Sequence, residues 1–321
     1  MPVYNGARFL EYAVASLLGQ SFRDLEVIAI DDGSTDGSLD LLERMSRTDP
    51  RLIVGSRPHS GGPSLPKNDG LALATGEYVG FLDCDDYSHP DRLRRLVAGL
   101  DAHPEWIAAF HDIEIVDQNG RARAATYLTS LRFMERAAGY LTAIGGGWYD
   151  CGADFYEFMS LHFAAVHTQS ILIATSRVDK SSIRFDPALR LAEDTDLWLR
   201  LGRMGRIGYL DERLGNYRLH QTNITRQRVL VAKYRLQVQT NNYEVARIRL
   251  GPSALAEYRK KMGMLHAELA YALYLDSAYD EAHRQYTQAI QWSPQMAYRI
   301  ARAKTRLPAA FIEWLRKLRN R

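Results

Sequence analysis

Gly76-Glu77-Tyr78-Val79-Gly80-Phe81-Leu82-Asp83-Cys84-Asp85-Asp86 is the stretch on which the reading of this chain turns. Residues 77–82 form a short, nearly apolar run, as a strand covered on both faces requires, and the run stops in a cluster of carboxylates. The same pattern stands earlier. Leu25-Glu26-Val27-Ile28-Ala29-Ile30 reads as a buried strand and passes into the turn cluster Asp31-Asp32-Gly33-Ser34-Thr35-Asp36-Gly37. Helical periods separate these runs. Residues 7–22 place Phe9, Leu10, Ala13, Val14, Leu17 and Leu18 on one stripe, and 39–45, 68–74 and 91–102 also read as helices. Residues 52–55 read as a strand and 60–66 as a Gly/Pro/Ser loop. Strand and helix in alternation predict an α/β fold, a mostly parallel sheet with helices on both faces.

Outward from this region the pattern changes. Residues 121–166 mix Gly145-Gly146-Gly147 with Trp148, Tyr149, Phe155, Tyr156, Phe158 and Phe163, and read as an irregular, partly helical insert. Residues 170–174 and 207–210 read as strands and 193–204 as a helix. From about residue 229 the chain reads as all-helical, with a break at Gly251-Pro252. Within it, Leu269, Ala270, Leu273, Ala282, Tyr286, Ala289 and Pro294 match the spacing of one tetratricopeptide-like hairpin, although an ordinary helical hairpin reads the same way. A single such unit cannot bury its own face, so it is expected to pack on the rest of the chain or on a second copy.

The chain has 321 residues, of which 46% are hydrophobic and 25% charged, an ordinary globular composition. Its net charge of +3 is too small to imply nucleic-acid binding. Residues 301–321 carry seven basic residues against Glu313, so +6 lies in the tail. There Pro308 precedes Phe311, Ile312, Leu315 and Leu318 on one face beside Arg316, Lys317, Arg319 and Arg321, so residues 308–321 are expected to lie on an anionic membrane surface. Two cysteines, Cys84 and Cys151, give no disulfide framework, no apolar run is long enough to span a bilayer, and no signal-peptide pattern opens the chain. These features predict a cytoplasmic protein, peripheral at the inner face of the plasma membrane.

The chemistry concentrates where strands end. In open parallel sheets ligands bind beyond the carboxyl ends of the strands. Carboxylates gathered there repel one another and would repel a phosphate, and a hard cation such as Mg²⁺ or Mn²⁺ relieves this, using one or two carboxylates plus water and substrate oxygens. Asp31, Asp36 and Asp86 also suit turns and helix caps. A third acidic cluster is Glu193-Asp194-Thr195-Asp196. Asp194 shares a helix face with Leu197, Trp198 and Leu201, as a general base bordered by apolar groups would, or as a helix cap would. Asp196 aligns with Arg200 and Arg203 on a solvent face.

Taken in order, Pro2-Val3-Tyr4-Asn5-Gly6, Asp31 to Asp36, Gly76 to Asp86, and Glu193-Asp194 with Asp196 to Leu201 resemble the motifs of bacterial family 2 inverting glycosyltransferases with a GT-A fold. The resemblance covers roughly residues 1–225, with 226–321 as a helical extension. It implies transfer of a sugar from a nucleotide-diphosphate sugar, UDP-linked, to a glycan or lipid-linked hydroxyl in cell-surface polysaccharide synthesis. Pro2 and Tyr4 would border the nucleobase and Asp32 would accept its N–H. Asp83 would hold the ribose or lie near the metal, and Asp85 would ligate the metal at the diphosphate. Asp194 would deprotonate the acceptor. Lys67 stands where an Arg is common and would meet a phosphate, and His220 stands where some members bring a His or Arg to the diphosphate. The resemblance also places residues 1–5 at the exit of the first strand. That strand is therefore expected to be a stub or missing, with the true start upstream or the chain poorly folding as written.

Other readings fit less of the sequence. A haloacid-dehalogenase-type phosphatase also ends a strand in Asp-x-Asp, but Tyr87 stands where Thr or Val is expected. Glycine fingerprints of nicotinamide enzymes and a Walker loop are not found. A transferase-like scaffold acting through its helical module, or a homo-oligomer formed through that module, remains compatible with the sequence.

Overall fold

The computed structural model describes residues 1–307, and the basic segment 308–321, on which the membrane expectation falls, lies outside the described residues. The chain divides into two compact units, Met1–Asn223 and a second beginning at Ile224.

The first unit opens with β1 (Pro2–Val3), α1 (Ala7–Leu18), β2 (Val27–Asp31), α2 (Ser38–Ser46) and β3 (Leu52–Ser56). These strands form a parallel sheet in the order β1-β2-β3, with Pro2 beside Ile30 and Val27 beside Leu52. Its core is Val3, Leu10, Val14, Val27, Ala29, Leu42 and Leu52, the apolar stripes expected from the sequence. Next come α3 (Ser64–Leu73), β4 (Tyr78–Gly80), β5 (Tyr87–Ser88), α4 (Arg92–Ala102) and β6 (Trp106–Asp117). The aromatic-rich insert contains β7 (Ala122–Thr126), α5 (Tyr127–Ser130), α6 (Phe133–Arg136), β8 (Thr142–Gly145), β9 (Trp148–Asp150) and α7 (Phe155–Leu161). Then follow β10 (Ile171–Ala174), α8 (Glu193–Leu201) and β11 (Arg206–Leu219).

The second sheet corrects the expectation of a mostly parallel arrangement. Its order is β4-β10-β6-β11-β9-β8, with β5 also on β11 and β7 on β6. Only β6 and β11 run parallel; β10 is antiparallel to both β4 and β6, and β9 to β11. The apolar runs signal burial on both faces, which a mixed sheet between helices satisfies as well as a parallel one. Helix α3 begins at Ser64, four residues before the expected start, because Pro66 falls in its first turn, where the missing N–H has no intrahelical partner to lose. Strand β4 keeps only three residues of the expected run, while Phe81 and Leu82 are buried in the turn that follows.

The second unit is helical: α9 (Arg228–Arg249), α10 (Pro252–Leu275), α11 (Tyr279–Trp292) and α12 (Met296–Lys304). Pro252 occupies the first turn of α10, so Gly251-Pro252 separates two long helices. Leu269, Ala270, Ala282, Tyr286 and Ala289 are buried, where the hairpin spacing places an interface between α10 and α11. Among the described residues no helix is long and apolar enough to cross a membrane.

Candidate active site

The loops after β1, β2 and β4 meet at one end of the first unit. Asn5, at φ +48°, accepts the Thr35 N–H at 2.8 Å, and its own N–H donates to Ser34 Oγ at 2.9 Å. A Cβ on Gly6 would lie 2.6 Å from Cys84 Sγ, so only glycine lets the first loop approach the carboxylate cluster this closely. Burial and the neighbouring Asp85 push the Cys84 thiol up, which keeps it protonated and makes it a packing group.

Asp31 caps the turn that follows β2: its Oδ2 accepts the N–H groups of Gly33 and Ser34 at 3.1 and 3.0 Å. Asp32 is buried and faces a polar shell. Ser60 N–H donates to its carboxylate at 3.0 Å, Arg57 Nε lies at 3.3 Å and His59 Nδ1 at 3.0 Å. His59 stacks on Tyr4 with centroids 4.0 Å apart, and the exposed Tyr4 ring thus forms a planar platform beside Asp32. Arg57 and His59 were not singled out in the sequence, since the loop that carries them shows no periodicity.

The four residues after Leu82 have separate roles. Asp86 is buried, accepting from Gln169 Nε2 at 2.9 Å and from the Arg218 N–H at 2.8 Å, and it anchors the loop. Burial, then the Asp85 and Asp83 charges, push its carboxyl well above the usual carboxylate range. Asp85 remains partly exposed. Its Oδ2 meets His220 Nε2 at 2.8 Å, and its backbone carbonyl accepts from Arg218 Nε at 3.0 Å. The long strand β11 brings Arg218 and His220 to this place; the sequence showed only its apolar start, because Asp211, Glu212 and Arg213 interrupt the run.

Asp83, also partly exposed, lies 3.5 Å from Lys67 Nζ. Lys67 is buried. Its ammonium donates to Glu193 Oε1 at 2.9 Å, so it ties α3 to α8 and faces two carboxylates rather than open solvent. Burial alone would lower the Lys67 pKa, but Asp83 and Glu193 outweigh it and raise it. Burial raises Glu193 to about 7. The sequence marks Glu193 only as Asp194's neighbour, since nothing local reveals the partner of a buried acid.

At the start of α8, Ala192 at φ +59° turns the chain into the helix. Asp194 accepts from Thr168 Oγ1 at 2.9 Å through Oδ2, and from the Thr195 N–H at 2.6 Å through Oδ1. Asp196 pairs instead with Arg200, Nε to Oδ2 at 2.9 Å, the i,i+4 pair its spacing indicates. His167 lies between the rings of Tyr127 and Tyr217, at centroid distances of 5.2 and 4.9 Å, and its burial pushes the imidazole below its ordinary pKa against the opposing Asp194 charge. Among the described residues no three His, Cys, Asp or Glu side chains converge on a common metal position.

A parallel β1-β2-β3 sheet joined to a mixed sheet, with carboxylates at the exits of β2 and β4, is the architecture of a GT-A nucleotide-diphospho-sugar transferase. Residues 1–150, within the first unit, match the family model Glycosyl transferase family 2. An uncharacterized glycosyltransferase of Nostoc is 28% identical over 221 residues, 68% of this chain and 63% of the relative. The chain thus spans less than two thirds of that relative's length. Among solved structures, Staphylococcus aureus TarS in complex with UDP-GlcNAc is 19% identical, with a TM-score of 0.56 covering 95% of this chain and 90% of that one. The mannosyltransferase PcManGT of Pyrobaculum calidifontis, in complex with GDP-Man and Mn²⁺, is 20% identical, with a TM-score of 0.57 covering 98% and 81%. These likenesses establish the fold.

Proposed function

We propose that the chain transfers a sugar from a UDP-sugar to a hydroxyl of a glycan or lipid-linked acceptor, with a divalent cation and with inversion at the anomeric carbon. The observation that carries this reading is the pairing of Asp85 with His220 in the same unit that holds Asp194 at the start of α8.

The donor set suits Mg²⁺ or Mn²⁺. Asp85 offers a partly exposed carboxylate with an imidazole beside it and Asp83 two residues away, and such cations take one or two carboxylates and complete their shell with phosphate and water. When bound, the cation neutralises charge on the departing diphosphate. The chain's own residues account for the remainder. Tyr4 gives the nucleobase a flat apolar surface and Pro2 borders it, while Asp32 accepts its N–H. Asp194 takes the proton of the acceptor hydroxyl as that oxygen attacks C1 of the sugar from the face opposite the diphosphate. The C1–O bond to the diphosphate breaks as the new bond forms, and this single displacement inverts the centre. Thr168, donating to Asp194 Oδ2, holds the carboxylate in place. Residues 1–225 carry this chemistry in our reading, and 226–321 form a helical extension to it.

A panel of nucleotide-sugars incubated with Mn²⁺ tests the reading through release of nucleoside diphosphate. The expected result is release from a UDP-sugar that EDTA abolishes and Asp194→Asn reduces. Release that is indifferent to both, or absent with every nucleotide-sugar and acceptor glycan, contradicts it.

A further inference from the structure

Helix α12 turns its apolar side away from the helix it packs on. Met296, Ile300, Ala303 and Leu307 recur at intervals of four, three and four residues, which sets them on one stripe of a helix. The winding continues past Lys304, because the Arg306 N–H donates to the Ala303 carbonyl at 3.1 Å and the Leu307 N–H to the Lys304 carbonyl at 3.3 Å. All four side chains are exposed, Met296 at 67% and Ile300 at 52%. The opposite face docks on α11, and it is polar. There Thr305 is buried with its Oγ1 3.0 Å from His283 Nδ1, and beside it Arg306 Nη1 lies 3.3 Å from Asp280 Oδ1. An amphipathic helix at the surface of a folded unit ordinarily buries its apolar stripe. Here the stripe is presented to the outside instead.

Charge decides what the stripe meets. Residues 296–307 hold Arg299, Arg302, Lys304 and Arg306 and no acid. By helical phase Arg299 and Arg306 fall on one side of the stripe and Lys304 on the other, so cations frame it along both borders. Among the described residues neither Arg299 nor Lys304 forms an ion pair. A second copy would bring the same cations against these. Residues 308–321 carry Arg316, Lys317, Arg319 and Arg321 against Glu313 alone, so their charge is also of the same sign. An anionic bilayer supplies what both lack: phosphates for the borders and an apolar layer beneath them for the stripe. We propose that the outer face of α12 lies on an anionic lipid surface, with Met296, Ile300, Ala303 and Leu307 toward the acyl chains and Arg299, Lys304 and Arg306 among the phosphates. With 9 residues, α12 is far short of the roughly 20 that cross a bilayer, so it rests in the interface and the contact is reversible. The proposal uses no residue of the transfer site and does not rest on the transfer reaction.

Flotation of the full chain with vesicles tests it, using phosphatidylcholine alone and phosphatidylcholine with about one quarter phosphatidylglycerol. The native chain is expected to float with the anionic vesicles, to stay behind with the neutral ones, and to bind less as salt is raised. Two double variants probe the stripe and its borders, Met296→Ser with Ile300→Ser, and Arg299→Gln with Lys304→Gln. Each is expected to lower the bound fraction at least about fivefold with the melting temperature unchanged, because these side chains are exposed. Every substitution lies within α12. Binding carried by residues 308–321 alone would leave both variants floating like the native chain, and that result overturns the proposal. So does a native chain that does not float. A serine variant that melts several degrees lower without vesicles also overturns it, because the chain itself would then cover the stripe, and so does a native dimer that the serine variant dissociates in sedimentation, because the occupant would then be a second copy.

Discussion

Two aspartates two residues apart, Asp194 and Asp196, show how far individual residues can be read. Helical phase separates them, and their partners differ: Asp194 meets Thr168 while Asp196 meets Arg200. Asp194→Asn should lower turnover by about 10² to 10⁴ with donor binding intact, whereas Asp196→Asn should change it little, as steady-state kinetics on the two variants will register. His111 was not legible, because a lone histidine in an apolar run carries no partner in its neighbourhood. It is buried, with Arg92 Nε donating to its Nε2 at 3.2 Å and its Nδ1 2.6 Å from the Asp112 carbonyl. This pairing fixes a neutral tautomer, and burial, then the Arg92 charge, holds the ring down to about 3 from 6.5. The native state therefore disfavours the proton. The stability this ring contributes is complete above pH 6.5 and is lost as pH falls toward 3, at up to about 1.4 kcal/mol per pH unit. Urea midpoints measured from pH 7 to 4.5 should fall more steeply for the native chain than for His111→Gln, and parallel slopes would refute this.

The elements of the fold were visible where apolar periodicity is uninterrupted. The helices at 7–18, 38–46 and 92–102 and the strand at 27–31 stand within a few residues of their expected places. The failures have specific causes. Pro66 reads as a loop signal but is tolerated in the first turn of α3, and β11 is longer than its apolar core because its outer half pairs through polar residues. Pairing direction in the second sheet depends on long-range partners that no local pattern encodes. The tie between α3 and α8 is of that kind, since Lys67 and Glu193 are 126 residues apart. Removing only the cation, as in Lys67→Met, leaves Glu193 buried beside Asp83 and Asp194 without its counter-charge, and should destabilise by about 3–5 kcal/mol. Replacing both, Lys67→Met with Glu193→Leu, should cost less than the single change. Urea denaturation of the three proteins gives the comparison, and a double variant weaker than Lys67→Met would contradict the pairing.

For the whole molecule, the division into a two-sheet unit and a helical unit follows from the change in periodicity near residue 229, and the structure divides at Asn223/Ile224. The candidate site was legible as carboxylates at strand ends, because short acidic turns after buried runs are local features. Arg57, His59, Thr168 and Arg218, which shape those carboxylates, were not, because each arrives from a distant segment. In the proposed function, Asp85 links a divalent cation to a nucleoside diphosphate. Isothermal calorimetry of UDP with Mn²⁺ and with EDTA, on the native chain and on Asp85→Asn, tests it most directly. Binding is expected to require the metal and to weaken tenfold or more in Asp85→Asn, about 1.4 kcal/mol. Equal UDP affinity in Mn²⁺ and in EDTA, or no effect of the substitution, would contradict it.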